Sequence, residues 1–478
     1  MKIKFIDPQG NWFGLNTGLA YLAGALIAEG HRVEVIDLNN YLPGRTERLE
    51  GLRGANIIGI SIKTFTVKEA LKLAVSAKKI NPDAILVCGG AHISIDGLDF
   101  MENNKSFDVA VVGDGEETMA EIASEKSLDQ IDGIIFRDGD TIVKNKPRVL
   151  RKDLDSLPFP NYLCFDSISE YKIPYPHNLY PIITSRGCPS HCLYCALPLL
   201  GEGKWRARSP ENIIAELHHM KRTYGLKKFQ VLDDNFTLKL SRAKAFCRLL
   251  IEEKMSLEWE CSSGIRAKFT DRELARLMKK AGVIQVKFGI ESLIPEIHRS
   301  IGKGETLDDV FRAIHEYSQQ GIKVGGYFLI GLPGSNKALD RESIERATRM
   351  GLDPAVWSIL VPYPGTELYE IVTYEKQYNL LLDWREGLSV GGHQNQINIT
   401  FDSSDYSAKE RIDNFFYAHL RSRTYGYLLD MNDPNFKKAK TLLKLIFIYD
   451  LKRFPQHLYY IFKNFIAGMN LHTVRKGF

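Results

Sequence analysis

The sequence has no apolar run near the roughly 20 residues that a bilayer-spanning helix requires, so no transmembrane segment is expected. Its opening, Met1-Lys2-Ile3-Lys4-Phe5-Ile6-Asp7, lacks the apolar centre of a signal peptide and reads as a first strand. Cysteine is scarce: seven in 478 residues, an odd number, unevenly spaced. That argues against the disulfide framework of a secreted protein and makes the cytoplasm the expected compartment. No G-x-G-x-x-G string follows an apolar run of strand length, which disfavours a dinucleotide-binding turn. No helix-turn-helix or other nucleic-acid-binding pattern is evident. The formal net charge of +5 is modest, but it is unevenly spread. Met431 to Phe478 holds nine Lys or Arg against two acids, Asp433 and Asp450, so the rest of the chain is slightly acidic. Both an anionic partner and a solvated basic face accommodate such a tail. The length exceeds one ordinary domain, and two or three are expected.

What is present centres on one short loop, Ser185-Arg186-Gly187-Cys188-Pro189-Ser190-His191-Cys192-Leu193-Tyr194-Cys195. Three of the seven cysteines stand here as C-x3-C-x2-C, just after the apolar run Tyr180 to Thr184. A tight loop can turn three thiolates onto three corners of one iron–sulfur cubane, and ferredoxin-type runs complete the set with a fourth cysteine. No fourth cysteine lies nearby, so one iron would be left open to a small molecule. A structural zinc site would need four ligands, and His191 could join the three cysteines, but structural zinc usually takes two separated ligand pairs. Inert core thiols fit poorly among Gly, Pro, Ser and His, which are loop residues.

With Tyr194 before its last cysteine, the loop resembles the signature of the radical S-adenosylmethionine (SAM) enzymes. The resemblance implies a [4Fe-4S] cluster on Cys188, Cys192 and Cys195, its open iron chelated by the amino and carboxylate groups of SAM.

Residues 1–145 alternate short apolar runs (Lys2 to Ile6, Val33 to Ile36, Asn56 to Ile62, Ala84 to Val87, Val109 to Val112) with helical stretches such as Gly18 to Glu29 and Val67 to Lys79. That pattern implies βαβ units, a parallel sheet and ligand binding at the carboxyl ends of the strands. Three loops are expected there: Pro8 to Thr17, Lys63-Thr64-Phe65-Thr66, and Gly89-Gly90-Ala91-His92. Paired glycines let a bulky ligand approach the backbone. In Gly113-Asp114-Gly115-Glu116-Glu117-Thr118 a turn leads into acids that suit a first helical turn. Together with Leu19 to Leu26, these strings resemble the cobalamin (B12)-binding domain that precedes many radical SAM domains. Thr64, Gly89 and Gly90 are then candidate cobalamin contacts. Many such domains supply an axial histidine from D-x-H-x-x-G, whereas the loop from Asp7 to Thr17 has none, so cobalamin without a protein histidine ligand is expected. The alternative is a flavodoxin-like domain that binds nothing.

Pro147, Pro158, Pro160, Pro174, Pro176 and Pro181 punctuate residues 147–181 and mark an extended connector, taken as 146–180. Beyond it, six apolar runs (Tyr180 to Thr184, Phe229 to Leu232, Leu257 to Cys261, Ile284 to Ile290, Val324 to Ile330, Val356 to Val361) alternate with helices. Ser209-Pro210, a capping box at Thr270-Asp271-Arg272-Glu273, and Thr306 start three of these helices. Six such repeats over residues 181–370 suit a partial barrel rather than a closed one of eight, with chemistry on the residues just after each strand. These are the cysteine loop, Asp233-Asp234-Asn235, Glu291, Gly331-Leu332-Pro333-Gly334 and Pro362 to Glu367. The family resemblance gives Asp234, with Asn235, the SAM amino group and Glu291 the ribose, while Tyr194 and the strand from Phe328 to Ile330 flank the adenine. The family's strand-two motif is more often G-G-E, and strand-end capping or salt bridging is the structural alternative for each carboxylate. Arg206 and Arg208 are candidate guanidinium forks for a carboxylate or phosphate, or plain surface arginines.

Residues 371–478 break the alternation. Gly387 to Asn398 is a glycine- and amide-rich loop with His393, while Ser407 to Leu429 and Pro434 to Phe465 look helical, the latter basic and aromatic. A packed helical cap and an amphipathic membrane-surface helix both fit.

The expected fold class is α/β: an N-terminal Rossmann-like (flavodoxin-type) cobalamin-binding domain, a central partial (β/α)6 TIM-type radical SAM barrel and a mainly helical C-terminal cap. The resemblance implies an enzyme that cleaves SAM to a 5′-deoxyadenosyl radical and methylates an unactivated carbon of a small molecule or lipid, with anionic ones among the candidates. A flavodoxin- or ferredoxin-type electron donor would serve it. Cyclisation, oxidation or ring rearrangement are alternatives within the family, and a cobalamin sensor or carrier with a structural cluster is the alternative outside it.

Overall fold

The computed structural model of the chain describes residues 1–10, 14–39, 45–165, 179–386, 397–428 and 435–466. Pro174 and Pro176 of the connector, the centre of the loop from Pro8 to Thr17, and most of the loop with His393 lie outside them. The chain divides into two compact units, Met1–His177 with Leu199–Asn212, and Asn178–Pro198 with Ile213–Phe478. Leu199–Asn212 thus folds with the first unit, although it lies inside the range 181–370 expected for the central domain.

In the first unit β1 (Lys2–Asp7), β2 (Arg32–Asp37), β3 (Ile57–Ser61), β4 (Ile85–Gly89) and β5 (Val109–Val111) pair in parallel. The sheet order β2-β1-β3-β4-β5 is flavodoxin-like, with the topological switch between β1 and β3. Helices α1 (Thr17–Ala28), α2 (Val67–Ile80), α3 (Ala91–Asn103) and α4 (Glu116–Ala123) alternate with the strands. Ala70, Leu73, Ala74 and Ala77 of α2 are buried at i, i+3, i+4 and i+7, the stripe that a helix lays on a sheet. Two further strands, β6 (Ile134–Asp138) and β7 (Thr141–Lys144), extend the sheet as an antiparallel hairpin. They were not expected, although Asp138-Gly139-Asp140 between apolar runs is a hairpin signal.

Gly90 adopts φ +104°, and a Cβ there would lie 2.8 Å from the carbonyl oxygen of Ile62. The amide of Ile62 donates to Gly89 O (2.7 Å), and Ile62 O accepts from the amide of His92 (3.2 Å). Close approach of the chain's own backbone is therefore what demands glycine at position 90.

In the second unit six strands, Leu179–Ile182, Lys228–Val231, Glu258–Ile265, Val283–Glu291, Lys323–Ile330 and Ala355–Ile359, pair in parallel in the order of the sequence. Sequential order with a helix after each strand is the open, barrel-type winding that the repeat pattern implied. Trp259 anchors the core, stacked on Phe229 (5.4 Å between centroids) with Phe246 edge-on (5.7 Å). The cap of helix Arg272–Lys280 differs from the expected box. Asp271, not Thr270, accepts from the amide of Leu274 (2.7 Å), while Thr270 Oγ1 donates to Ala267 O. Lys244 holds the same Asp271 carboxylate at 2.7 Å, which fixes the register.

The helical stretch expected over Pro434 to Phe465 is two helices, Asn435–Tyr449 and Phe454–Ile466. They part at Asp450, whose carboxylate is taken by Arg453 (2.8 Å) and His457 (2.9 Å). Helix Ala408–Arg421 packs on helix Lys337–Thr348, and Arg421 forks both oxygens of Glu345 at 2.8 Å. Those hydrogen bonds hold the Glu345 carboxyl down at about 2, against an ordinary 4.5. A depressed carboxyl stabilises the fold above its unfolded pKa and loses that contribution as pH falls through the folded value. The gap in thermal unfolding midpoint between the native chain and Glu345→Gln should therefore be widest above pH 4.5 and close as pH falls toward about 2.

Candidate functional site

The cysteine loop leaves the carboxyl end of strand Leu179–Ile182 and is pinned by the ends of the neighbouring strands. Asp234 Oδ2 accepts from the amide of Gly187 at 2.8 Å, and Asn235 Nδ2 lies 3.6 Å from Cys188 Sγ. Arg266 Nη1 donates to Ser190 Oγ. The amide of Leu193 donates to Ile301 O (3.0 Å), and Leu193 O accepts from the amide of Leu368 (2.8 Å). Asp233 fastens the base of the loop. It is buried and accepts from Thr184 N (2.6 Å), Thr184 Oγ1 (2.5 Å) and Ser185 Oγ (2.6 Å). Burial still pushes its carboxyl above the ordinary value. Gly264, at φ +72°, lies beneath this turn, and a Cβ there would stand 2.3 Å from Asp233 O.

Cys188 is buried, while Cys192 and Cys195 are half-buried. Burial pushes the Cys192 thiol up to about 11, with Lys303 and Arg266 pulling against it, and the Cys195 thiol up to about 12. Cys188 adds to the rise at both, and Cys192 to the rise at Cys195. Among the described residues no three His, Cys, Asp or Glu side chains are placed to share one metal ion. A bound cation would stabilise Cys192 and Cys195 as thiolates against that rise.

Next to the loop stands a buried set of paired charges. Glu291 ends its strand at φ +67°, at a break in the strand register between Gly289 and Glu291. Such a conformation costs a non-glycine residue of order 1 kcal/mol or more and tends to mark functional sites. Lys303 Nζ lies 3.1 Å from Glu291 Oε1 and 3.3 Å from Glu305 Oε1, and donates to Gly289 O. Burial lowers the ammonium pKa, but Glu291 and Glu305 outweigh it, and the balance lies above the ordinary value. Tyr194 hydrogen-bonds Glu291, and burial, then Glu291, raises its hydroxyl far above 10. Arg266 is 8% exposed, lies 3.7 Å from Glu305 and covers the Phe269 ring, yet its Nε and Nη2 make no hydrogen bond among the described residues.

Tyr194, Asp234, Asn235 and Glu291 thus gather around the cysteine loop. Phe328 does so only through its strand, because its buried ring stacks on Trp357 at 4.4 Å. Arg266, Lys303 and Glu305 were missed. The rule of looking just beyond each strand finds Arg266, which follows strand Glu258–Ile265. Lys303 and Glu305 follow no strand, and nothing in the sequence marks them.

In the first unit Thr64 Oγ1 lies 3.4 Å from Nδ1 of the buried His92, which gathers Thr64, Gly89 and Gly90 at one sheet edge. Asp7 ends β1 there, its Oδ1 accepting from Asn16 Nδ2 at 2.7 Å. Asp7 Oδ2 and Thr17 Oγ1 are buried and make no hydrogen bond among the described residues. Unmet acceptors at the switch point suit an amide-bearing ligand such as cobalamin. Arg206 and Arg208 are neither surface residues nor open forks. Arg206 pairs with Asp114 (2.5 Å) and Arg151 O (3.0 Å), and Arg208 with Asn212 (2.7 Å) and the Tyr21 hydroxyl (3.1 Å), all within the first unit.

Residues 182–347 match the Radical SAM superfamily and residues 13–123 the B12 binding domain. An uncharacterized methyltransferase of Pyrococcus horikoshii is 32% identical over 379 residues, covering 77% of this chain and 80% of that protein. The anaerobic magnesium-protoporphyrin IX monomethyl ester cyclase of Rubrivivax gelatinosus is 25% identical, covering 80% of this chain and 73% of its own. The cobalamin-dependent SAM radical enzyme OxsB, solved with aqua-cobalamin and SAM, superposes with a TM-score of 0.68 at 16% identity, over 99% of this chain and 83% of that one.

Removing Lys303 leaves the buried Glu291 without its cation and Glu305 with only Arg266, 3.7 Å away. Lys303→Met should cost about 3–5 kcal/mol of unfolding free energy. Combining it with Glu291→Gln should return part of that loss in a double-mutant cycle read by denaturant unfolding.

Proposed function

Because the chain belongs to the radical SAM superfamily, in the branch that carries a B12-binding domain, we propose that it methylates an unactivated carbon of a small molecule or lipid. Its cofactors are a [4Fe-4S] cluster, SAM and cobalamin. The reading is carried by the cysteine loop, held at a strand end against a buried set of charges that contains two cations.

Cys188, Cys192 and Cys195 would hold the cluster as its thiolate ligands. With only three cysteines in the C-x3-C-x2-C loop, a fourth position of the cluster would be open to SAM. When bound, the cluster supplies the electron that cleaves SAM to a 5′-deoxyadenosyl radical, and cobalamin carries the methyl group.

The chain's own residues bind and orient. Asp234, fixed by Gly187, and Asn235 accept from the SAM ammonium. The unmet N–H groups of Arg266, with Lys303 behind them, suit its carboxylate as charge-assisted donors. Glu291, locked by Lys303 and Tyr194, offers its carboxylate to the ribose hydroxyls. Tyr194 and the backbone from Phe328 to Ile330 border the adenine. In the first unit Thr64, Gly89 and Gly90 contact cobalamin, and Asp7 and Thr17 accept from its amides, with no histidine ligand. A flavodoxin- or ferredoxin-type donor supplies the electron, and a reducing cytoplasm suits the oxygen-sensitive cluster.

The likeness to a cyclase favours a second reading, cyclisation or rearrangement without methyl transfer. Anaerobic reconstitution with iron, sulfide and hydroxocobalamin, followed by reaction with SAM and reductant, separates the two. Methyl transfer yields both 5′-deoxyadenosine and S-adenosylhomocysteine. The first product without the second leaves the cyclase reading, and neither product leaves a sensor or carrier. Cys188→Ala, Cys192→Ala and Cys195→Ala should each abolish both products and the cluster's visible absorbance.

A further inference from the structure

Helix Asn435–Tyr449 turns Leu442 and Ile446 into the second unit, both fully buried, and stacks Tyr449 on Phe416 of helix Ala408–Arg421 at 4.9 Å. Its opposite face should be polar in a helix that meets only its own protein and water. Instead Leu443, Phe447 and Ile448 lie on that face at 38%, 65% and 55% exposure, and Leu451 follows at 51%. Leu443 and Phe447, four residues apart, sit on neighbouring turns of that surface, with Ile448 beside Phe447. Lys440 and Lys444, both exposed, stand on the same helix, and Lys452 follows Leu451. From Asn435 to Ile466 the only acid is Asp450, which is 4% exposed and already paired with Arg453 and His457. The exposed face therefore carries apolar side chains and cations with no anion among them.

We propose that this face docks on an anionic lipid bilayer. Bulky apolar side chains sink into the headgroup and acyl boundary, while lysines interleaved with them meet lipid phosphates. A second copy of the chain fits less well, because two such faces would bring lysines against lysines. An acidic protein would answer the charge alone and leave Phe447 and Ile448 without a reason to be so exposed. Docking of this kind is peripheral, since no helix among the described residues is long and apolar enough to cross a membrane.

Full-length protein should co-sediment with phosphatidylcholine vesicles containing roughly one-third phosphatidylglycerol, and not with pure phosphatidylcholine, at low ionic strength. The pair Phe447→Ser and Ile448→Ser, and separately the pair Lys440→Glu and Lys444→Glu, should each lower the partition coefficient about tenfold or more. All four side chains are exposed, so circular dichroism and the thermal midpoint should stay unchanged, which separates lost docking from lost folding. Failure of the native chain to sediment with anionic vesicles overturns the proposal. So does a concentration-dependent dimer in analytical ultracentrifugation that Phe447→Ser abolishes, which would make a second copy the occupant. Undiminished sedimentation of the lysine variants with the anionic vesicles would also overturn it.

Discussion

Lys303 is the charge on which the cysteine loop's surroundings depend. Two carboxylates, Glu291 and Glu305, are buried beside the loop, and an unpaired buried charge costs several kcal/mol. Lys303 pairs with both, and Arg266 adds a second cation at 3.7 Å from Glu305. The balance is close to neutral without the thiolates, and so it fits a site that receives a further charged ligand. It also holds Glu291 in a left-handed conformation that the backbone alone would not favour.

Around that balance the sheet supplies rigidity. A parallel strand places the residue after it at the carboxyl edge, and six strands in sequential order bring successive loops side by side there. Asp233 spends both carboxylate oxygens tying the next loop to Thr184 and Ser185, which leaves its neighbours Asp234 and Asn235 to face Gly187 and Cys188. Adjacent residues thus divide the work, one holding the scaffold and two meeting the loop. The first unit reaches a carboxyl-edge site by a different route. Its order reverses between β1 and β3, and Asp7, Thr17 and Thr64 collect at that reversal.

Strands were legible because apolar runs of four to eight residues bounded by Gly and Pro leave few other options. All five parallel strands of the first unit and all six of the second lie within a few residues of their expected ranges. Asp234, Asn235, Glu291 and Tyr194 were reachable because strand ends and the cysteine spacing are local features. What stayed hidden is long-range. Lys303 reaches Glu291 across twelve residues of loop and short helix, and no pattern in between announces the contact. Arg206 and Arg208 look like open forks in sequence, but their partners Asp114 and Tyr21 lie some 90 and 190 residues away. The cap at Asp271 was missed by one position because Thr270 and Asp271 are both good caps, and Lys244, a tertiary neighbour, decides between them.

The C-terminal region is braced against the strand end that borders the adenine in the proposed reading. Asp340 is buried and accepts from Gly331 N (3.0 Å), Ser335 Oγ (2.5 Å) and the Tyr406 hydroxyl (2.8 Å), while Asn414 donates to that same hydroxyl (2.6 Å). Arg411 reaches Gly331 O at 3.4 Å and covers the Phe401 and Tyr406 rings. Gly331 follows strand Lys323–Ile330 directly, so a shift of helix Ala408–Arg421 must move the turn at that strand's end or break buried hydrogen bonds. A closed network of this kind transmits displacement rather than absorbing it, because each member left unpaired would carry a desolvation cost. Variation beyond residue 400 can therefore tune the site without touching the cysteines.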